Sequence, residues 1–225
     1  MKLLALDTST AACSVALALG DATLERHEVQ PKEHTRLLVP MIRELLARGG
    51  IAAEDLDAVV LGNGPGSFIG LRIGASVAQG ICHAAGLELV AVSSLAAVAA
   101  EALQDSEATR VLVAQDAHMN EVYLGSYRRG EGDVPLAEGD IVLQSVAALE
   151  GLTRGDSGNR YAAGDGWRRY PDLLALNEHL FAGVAGVQWP RARYLLELGR
   201  RSYAAGEAIA PEALVPAYVR ERVAA

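Results

Sequence analysis

Apolar residues near the start of this chain fall in short unbroken runs, and then in a helical rhythm, so strands are expected first and a helix after them. Lys2 to Thr8 reads as a buried strand and Cys13 to Leu19 as a second. Gly20-Asp21 turns the chain into a third, Ala22 to Val29. From Glu33 to Arg48 the apolar positions are Leu37, Leu38, Met41, Ile42, Leu45 and Leu46, the spacing of an amphipathic helix. Pro40 predicts a kink or the helix's true start, and Gly49-Gly50 predicts its end. Leu56 to Leu61 reads as a strand, followed by a glycine-rich turn and a small-residue helix over Gly70 to Ala85. Leu87 to Val92 is a further strand, and Ser93-Ser94 offers a cap for a helix running to Gln104.

The second half begins in the same way as the first. Leu4-Ala5-Leu6-Asp7-Thr8, a turn, then Ser14-Val15-Ala16-Leu17 is matched by Val113-Ala114-Gln115-Asp116-Ala117, a turn, then Glu121-Val122-Tyr123-Leu124. The shared order is strand, Asp, small residue, turn, strand, which suggests two similarly built lobes. The polar stretch Gln104 to Glu107 places the boundary, giving lobes 1–104 and 105–225. Beyond Tyr127 the pattern is less regular. Short strands are expected at Ile141-Val142-Leu143 and Arg160 to Ala163, a helix at Pro190 to Tyr203, and a tail from Pro211 carrying Arg220 and Arg222.

Composition narrows the class. With 225 residues and 51% apolar content the chain can bury a sizeable core. A net charge of -8 argues against a free-standing nucleic-acid binder. Cys13 and Cys82 sit in apolar surroundings as free thiols, which suits a reducing cytoplasm. The leading apolar run stops at Asp7, too short for a signal peptide, and Leu87 to Leu103 is too polar to span a membrane.

The candidate chemistry centres on Gly62-Asn63-Gly64-Pro65-Gly66-Ser67, between strand and helix. Such a loop either cradles a phosphate at a helix N-terminus or lets the helix pack closely. It lacks the Gly-Lys-Ser/Thr of a Walker loop, and Gly64-x-Gly66-x-x-x-Gly70 is one residue too long for a dinucleotide loop. Gly70, Gly74, Ala78, Cys82 and Gly86 recur every fourth residue, one small face that invites close approach of another backbone, within the lobe or across a subunit interface. Asp7 and Asp116, each at a strand end, could hold Mg²⁺ around nucleotide phosphates or cap their own turns. The five histidines contain no pair at metal-binding spacing, and Ser9, Ser67 and Cys13 lack a local activating partner. The arginines Arg168, Arg169, Arg191, Arg193, Arg200 and Arg201 suit either RNA phosphates or a solvated face.

The run Gly64-Pro65-Gly66-Ser67-Phe68-Ile69-Gly70-Leu71-Arg72-Ile73-Gly74, with Leu6-Asp7-Thr8-Ser9-Thr10, resembles the TsaB (YeaZ) family. So do His34 with Leu37-Leu38 and Pro40, Asp116-Ala117, Gly164-Asp165-Gly166 and Pro216-Ala217-Tyr218-Val219-Arg220. Two positions depart from the family: Ile69 where Thr is usual and His118 where Arg is usual. The resemblance implies an α/β, two-lobed actin-like ATPase fold in reduced form, with mixed sheets flanked by helices. It implies a cytoplasmic, non-catalytic subunit in threonylcarbamoyladenosine synthesis on tRNA, without a cofactor of its own. Partners would be TsaD, which brings metal and, with the ATPase TsaE, ATP; tRNA would be met through the complex. The implied interface is His34, Leu37, Leu38, Met41, Leu45, Gly70, Arg72, Ile73, Gly74, Val77, Ala78 and Ile81, used for TsaD or for a second copy. Asp7, Thr8, Ser9, Gly64, Gly66, Ser67 and Asp116 would be a vestigial nucleotide site. On this reading Gly74→Leu should block TsaD binding and leave the lobe folded. The competing reading is a nucleotide-dependent phosphotransferase or ATPase using Asp7 and Asp116.

Overall fold

A computed structural model describes residues 1–149, 159–217 and 219. Two compact units divide the chain, one formed by residues 1–97 with 190–217 and the other by residues 98–189.

The first unit opens with three antiparallel strands, β1 (Lys2–Asp7), β2 (Ala12–Leu19) and β3 (Ala22–Val29), joined by tight turns. Helix α1 (His34–Gly49) then crosses to β4 (Ala58–Gly62), and α2 (Phe68–Ala85) crosses to β5 (Glu88–Val92). β4 lies parallel to β1, and β5 parallel to β4, so the order is β3-β2-β1-β4-β5. Parallel neighbours need such crossovers, and burial on both faces explains the unbroken apolar runs of β1 and β4. α1 starts at His34 and runs through Pro40, which is exposed; Pro40 is therefore not its start.

Helix α3 (Ser94–Gln104) leads into the second unit, whose β6 (Arg110–Asp116) and β7 (Glu121–Arg129) repeat the opening hairpin. β8 (Pro135–Ala137) and β9 (Val142–Ser145) both pair with β7. β10 (Arg160–Ala163), α4 (Asp165–Arg169), α5 (Pro171–Asn177) and β11 (Gly183–Val184) follow. The order is β11-β10-β6-β7-β8, with β10 parallel to β6 and β11 parallel to β10. Each sheet thus has an antiparallel wing and a parallel wing on either side of its first strand. The resemblance between the two halves of the sequence marks a duplicated frame, with Asp7 and Asp116 in matching places.

The lobe boundaries read from sequence need correction. The first unit ends inside α3, at residue 97, rather than at 104. Helix α6 (Ala192–Ala204) returns to the first unit instead of staying in the second. The reason is its apolar stripe. Ala192, Leu195 and Leu196 bury against Leu3, Ala5, Ala16, Ala18, Ala58 and Val60 on one face of the first sheet, while α1 and α2 cover the other. The following segment closes the sheet edge, where Leu89 and Ile209 exchange backbone hydrogen bonds at 2.9 and 2.8 Å. Two short helices, α4 and α5, occupy a stretch that the sequence left irregular; Trp167 and Leu173 there fill the core of the second sheet. Tyr218, Arg220 and Arg222 lie outside the described residues.

Gly199 on α6 meets the sheet most closely: a Cβ there would come within 2.4 Å of Val60 Cγ2. Gly199→Ala is expected to destabilise the protein by about 1–3 kcal/mol through overpacking. Urea denaturation measures it, and unchanged stability would contradict this account of α6.

Candidate functional site

The glycine loop folds down onto the β1–β2 turn. Ser67 N donates to Ser9 O at 2.7 Å, and Thr8 Oγ1 donates to Gly70 O at 2.8 Å. A Cβ on Gly66 would lie 2.2 Å from Ser9 O, and one on Gly70 would lie 2.0 Å from Thr8 O. These distances are far inside van der Waals contact, so only glycine lets α2 begin where it does. Ser67 caps the helix by accepting from Gly70 N at 3.2 Å.

Asp7 lies beneath this contact, 1% exposed. Its Oδ1 accepts from Ser9 N (2.8 Å) and Ser9 Oγ (2.7 Å), and its Oδ2 accepts from Ser94 Oγ (2.6 Å). Ser94 Oγ in turn accepts from Gly64 N at 3.0 Å, while Ser94 N donates to Gly64 O at 2.8 Å. Ser94 therefore ties Asp7 to the loop, and it is Ser93 Oγ that accepts from Ala96 N in the first turn of α3. Burial raises the Asp7 carboxyl to about 6, against the lowering effect of the bonds from Ser94 and Ser9.

The structure thus brings together Asp7, Thr8, Ser9, Gly64, Gly66 and Ser67, as the sequence suggested, but joins them to one another. Both Asp7 oxygens are occupied by protein donors, and the small face of the loop is filled by the backbone of Thr8 and Ser9. These residues do not fit a nucleotide phosphate with its metal.

In the second unit Asp116 is bonded in a different way. Its Oδ1 accepts from His118 N and from Tyr170 Oη, each at 2.9 Å, and its Oδ2 lies 3.2 Å from His118 Nδ1. Asp165, from the Gly164-Asp165-Gly166 motif, accepts from Asp116 N at 2.8 Å and Gln115 Nε2 at 2.7 Å. Its carboxyl is also raised to about 6, first by burial. Sequence reading missed Ser94, Asp165 and Tyr170 as partners of these acids; the Asp-to-Ser and Asp-to-Tyr pairings span 87 and 54 residues. Among the described residues no group of three or more His, Cys, Asp or Glu could hold a metal ion. No described helix is long and apolar enough to cross a membrane. Of the arginines considered for RNA, Arg191 pairs with Glu25, and Arg200 and Arg201 pair with Glu197.

What the first unit leaves open to solvent is a groove of about 330 Å³ between α1 and α2, lined by His34, Thr35, Leu38, Val39, Arg72, Ile73, Ser76 and Val77. His34 is 6% exposed, and its Nε2 sits 2.8 Å from Thr10 O. A carbonyl only accepts, so Nε2 carries the proton and fastens the start of α1 to the β1–β2 turn. Arg72 stacks 3.2 Å over the Phe68 ring. Phe68 and Ile69 remain exposed, at 48% and 69%.

The expected interface divides on this geometry. Arg72 is exposed, Leu37, Ile73, Val77 and Ile81 are half-buried, and His34 lines the groove. Leu38 also reaches the groove but is 1% exposed, while Met41, Leu45, Gly70, Gly74 and Ala78 are buried in the lobe's own core. The small-residue face points inward, because a Cβ on Gly74 would meet Thr8 Oγ1 at 2.5 Å. Gly74→Leu would therefore disrupt the lobe itself. Thr35, Val39 and Ser76 are the outward residues that the sequence did not single out.

Two mixed sheets of one topology, with flanking helices and a strand-end acid in each, define the actin-like ATPase fold. The model of the family described as "TsaD: tRNA N6-adenosine threonylcarbamoyltransferase" matches residues 24–185. The tRNA threonylcarbamoyladenosine biosynthesis protein TsaB of Escherichia coli K12 is 37% identical over all of this chain and 96% of its own length. Its namesake in Haemophilus influenzae is 35% identical over 99% of this chain and 95% of its own. YeaZ of Pseudomonas aeruginosa superposes with a TM-score of 0.85 at 36% identity, over 96% of this chain and 99% of its own. Another structure, described as similar to the peptidase YeaZ from that organism, gives 0.88 at the same identity, over 97% and 99%. The chain belongs to the TsaB (YeaZ) family.

Asp7 sets a stability test. A carboxyl at about 6 in the folded protein, against 3.8 ordinarily, is protonated more readily folded than unfolded. Its contribution is therefore greatest at low pH and declines as pH rises from about 4 to 6, by on the order of 2–3 kcal/mol. Asp165 acts in the same direction. Asp7→Asn keeps an oxygen for Ser9 and turns an N–H toward Ser94 Oγ. Urea denaturation across that range should show a shallower decline, with stability at pH 7 equal or higher. A large loss at pH 7 would mean that the Asp7 charge itself holds the loop.

Proposed function

We propose that this chain is an accessory subunit in tRNA threonylcarbamoyladenosine biosynthesis, and that its α1–α2 face docks the catalytic subunit TsaD. The observation that carries this reading is the apolar groove between α1 and α2, flanked by exposed Phe68 and Ile69. The names of its relatives supply the process, and the matched TsaD model fits a partner built on a related frame, able to present a helix pair of its own. Helix faces of this kind associate by burying apolar side chains between them. The chain would act by holding TsaD in its working form. TsaE, ATP, a metal ion and tRNA would belong to the assembled complex rather than to this chain.

The alternative, an ATPase or phosphotransferase using Asp7 and Asp116, is disfavoured by the internal bonding of both acids. A second copy docking on the same face is compatible with the main reading, since it would compete with TsaD for one surface. We expect the chain to act in a bacterial cytoplasm, where tRNA modification takes place.

Light scattering after size exclusion, on the chain alone and mixed with TsaD from the same organism, tests the proposal. A new stoichiometric peak is expected. Val39→Asp, which charges an exposed groove residue without touching the core, should weaken the complex at least about tenfold while leaving thermal unfolding unchanged. Undiminished binding by that variant would place the interface elsewhere. ATP turnover by the isolated chain that is lost in Asp7→Asn would instead favour the enzyme reading.

A further inference from the structure

The second unit holds a cavity of about 410 Å³, and all of its lining falls within residues 98–189. One wall is the end of α3, with Glu101, Asp105 and Ser106. The other is Tyr161 on β10 and the chain from Val184 to Val187, which begins in β11. β11 is the last strand of its sheet, so no described strand lies beyond it. Backbone bonds fasten this wall: Ala185 N donates to Ala162 O at 2.8 Å, and Gly164 N donates to Val187 O at 2.9 Å. Gly183 gives the Tyr161 ring its place, since a Cβ there would come within 2.8 Å of Tyr161 Cε1.

The charge of this cavity has one sign. Glu101 and Asp105 are four residues apart, so both acids stand on one face of α3, and both line the cavity. No lysine, arginine or histidine is among the described lining residues. Ser106 Oγ serves the helix end instead, donating to Ala102 O at 2.6 Å and accepting from Ala108 N at 3.2 Å. Like charges one turn apart repel, and acids at the end of a helix oppose its dipole. α3 has no basic residue in its last turn to offset them. A bound cation would turn that local cost into attraction. The remaining walls are aromatic and apolar, from Tyr161, Ala102, Val184 and Val187.

We propose that this cavity binds a small organic cation, a linear aliphatic amine of the polyamine class. Its ammonium groups would meet Glu101 and Asp105, and its methylenes would lie along Tyr161 and Val184, where the ring face also attracts a cation. The volume is that of a small-molecule site. An inorganic divalent ion fits less well, because it needs about six or more oxygens and the other walls offer few. The site lies apart from the α1–α2 groove in the chain, and it stands or falls independently of the docking reading.

Nuclear magnetic resonance titration of the intact, isotope-labelled chain with spermidine at physiological salt tests this. Saturable shifts should be confined to the amides of the cavity walls, with one-to-one stoichiometry by calorimetry. Asp105→Lys, at an exposed position, should weaken binding about tenfold or more. Asp140→Lys makes the same charge change at an exposed residue outside the cavity and should leave affinity within about twofold. An uncharged diol of similar length should not bind. Thermal melts show whether the variants are folded, and the shift map of the unaltered chain decides the location without them. Shifts scattered over the acidic surface, equal weakening by both variants, or no saturation at millimolar spermidine would each overturn the proposal. Displacement of spermidine from these residues by millimolar Mg²⁺ would mark an inorganic cation site and overturn it as well.

Discussion

The contact between the start of α2 and the β1–β2 turn is the constraint from which the first unit follows. Backbone meets backbone there without side chains between, because Gly66 and Gly70 leave room for the carbonyls of Ser9 and Thr8. That contact sets where α2 leaves the sheet, and so how Leu71, Ala75 and Ala78 reach the core. It also buries Asp7, whose charge would be prohibitive without three donors around it. His34 completes the arrangement from the other helix by holding Thr10 O. Two helices and one turn are thus fixed together by hydrogen bonds at the start of each helix.

The same contact accounts for what the loop does not do. A phosphate-binding loop keeps its backbone donors turned toward an anion and its neighbouring acid accessible to a metal. Here Ser67 N is bonded to Ser9 O and Gly64 N to Ser94 Oγ. The glycines that resemble a phosphate cradle in sequence are serving helix-to-turn packing. Both uses require close backbone approach, and the sequence alone does not separate them.

Much of the architecture was legible in the chain. The hydrophobic rhythm located α1, the alternation of apolar runs and turns located β1 to β5, and the repeated strand-Asp-turn-strand pattern announced the second sheet. Spacing gave the small face of α2 but not its direction, because a row of glycine and alanine suits an internal contact as well as an external one. Gly74 faces Thr8, whereas Ile73 beside it is partly open, and one residue of helical rotation decides which is reached by solvent. The return of α6 to the first sheet was equally hidden. Its amphipathic stripe shows that it packs on something apolar, but not on which of two sheets. Pairings such as Asp7 with Ser94 and Asp116 with Tyr170 join distant residues through ordinary side chains, and no local motif marks them.

The two strand-end acids show how a duplicated frame can keep a residue while changing what it is for. Asp7 is sealed, its oxygens shared among serines, and burial alone raises its carboxyl. Asp116 keeps some contact with solvent and accepts from a turn amide and a tyrosine, beside a histidine. That turn places His118, Met119 and Asn120 all at positive φ, a conformation that costs energy for residues with a Cβ. Asp116 offsets part of this cost by accepting from His118 N, so here the acid stabilises a strained connection. In each unit the carboxylate secures the first turn after the leading strand. An acid with that structural duty would be retained whether or not a nucleotide ever bound beside it.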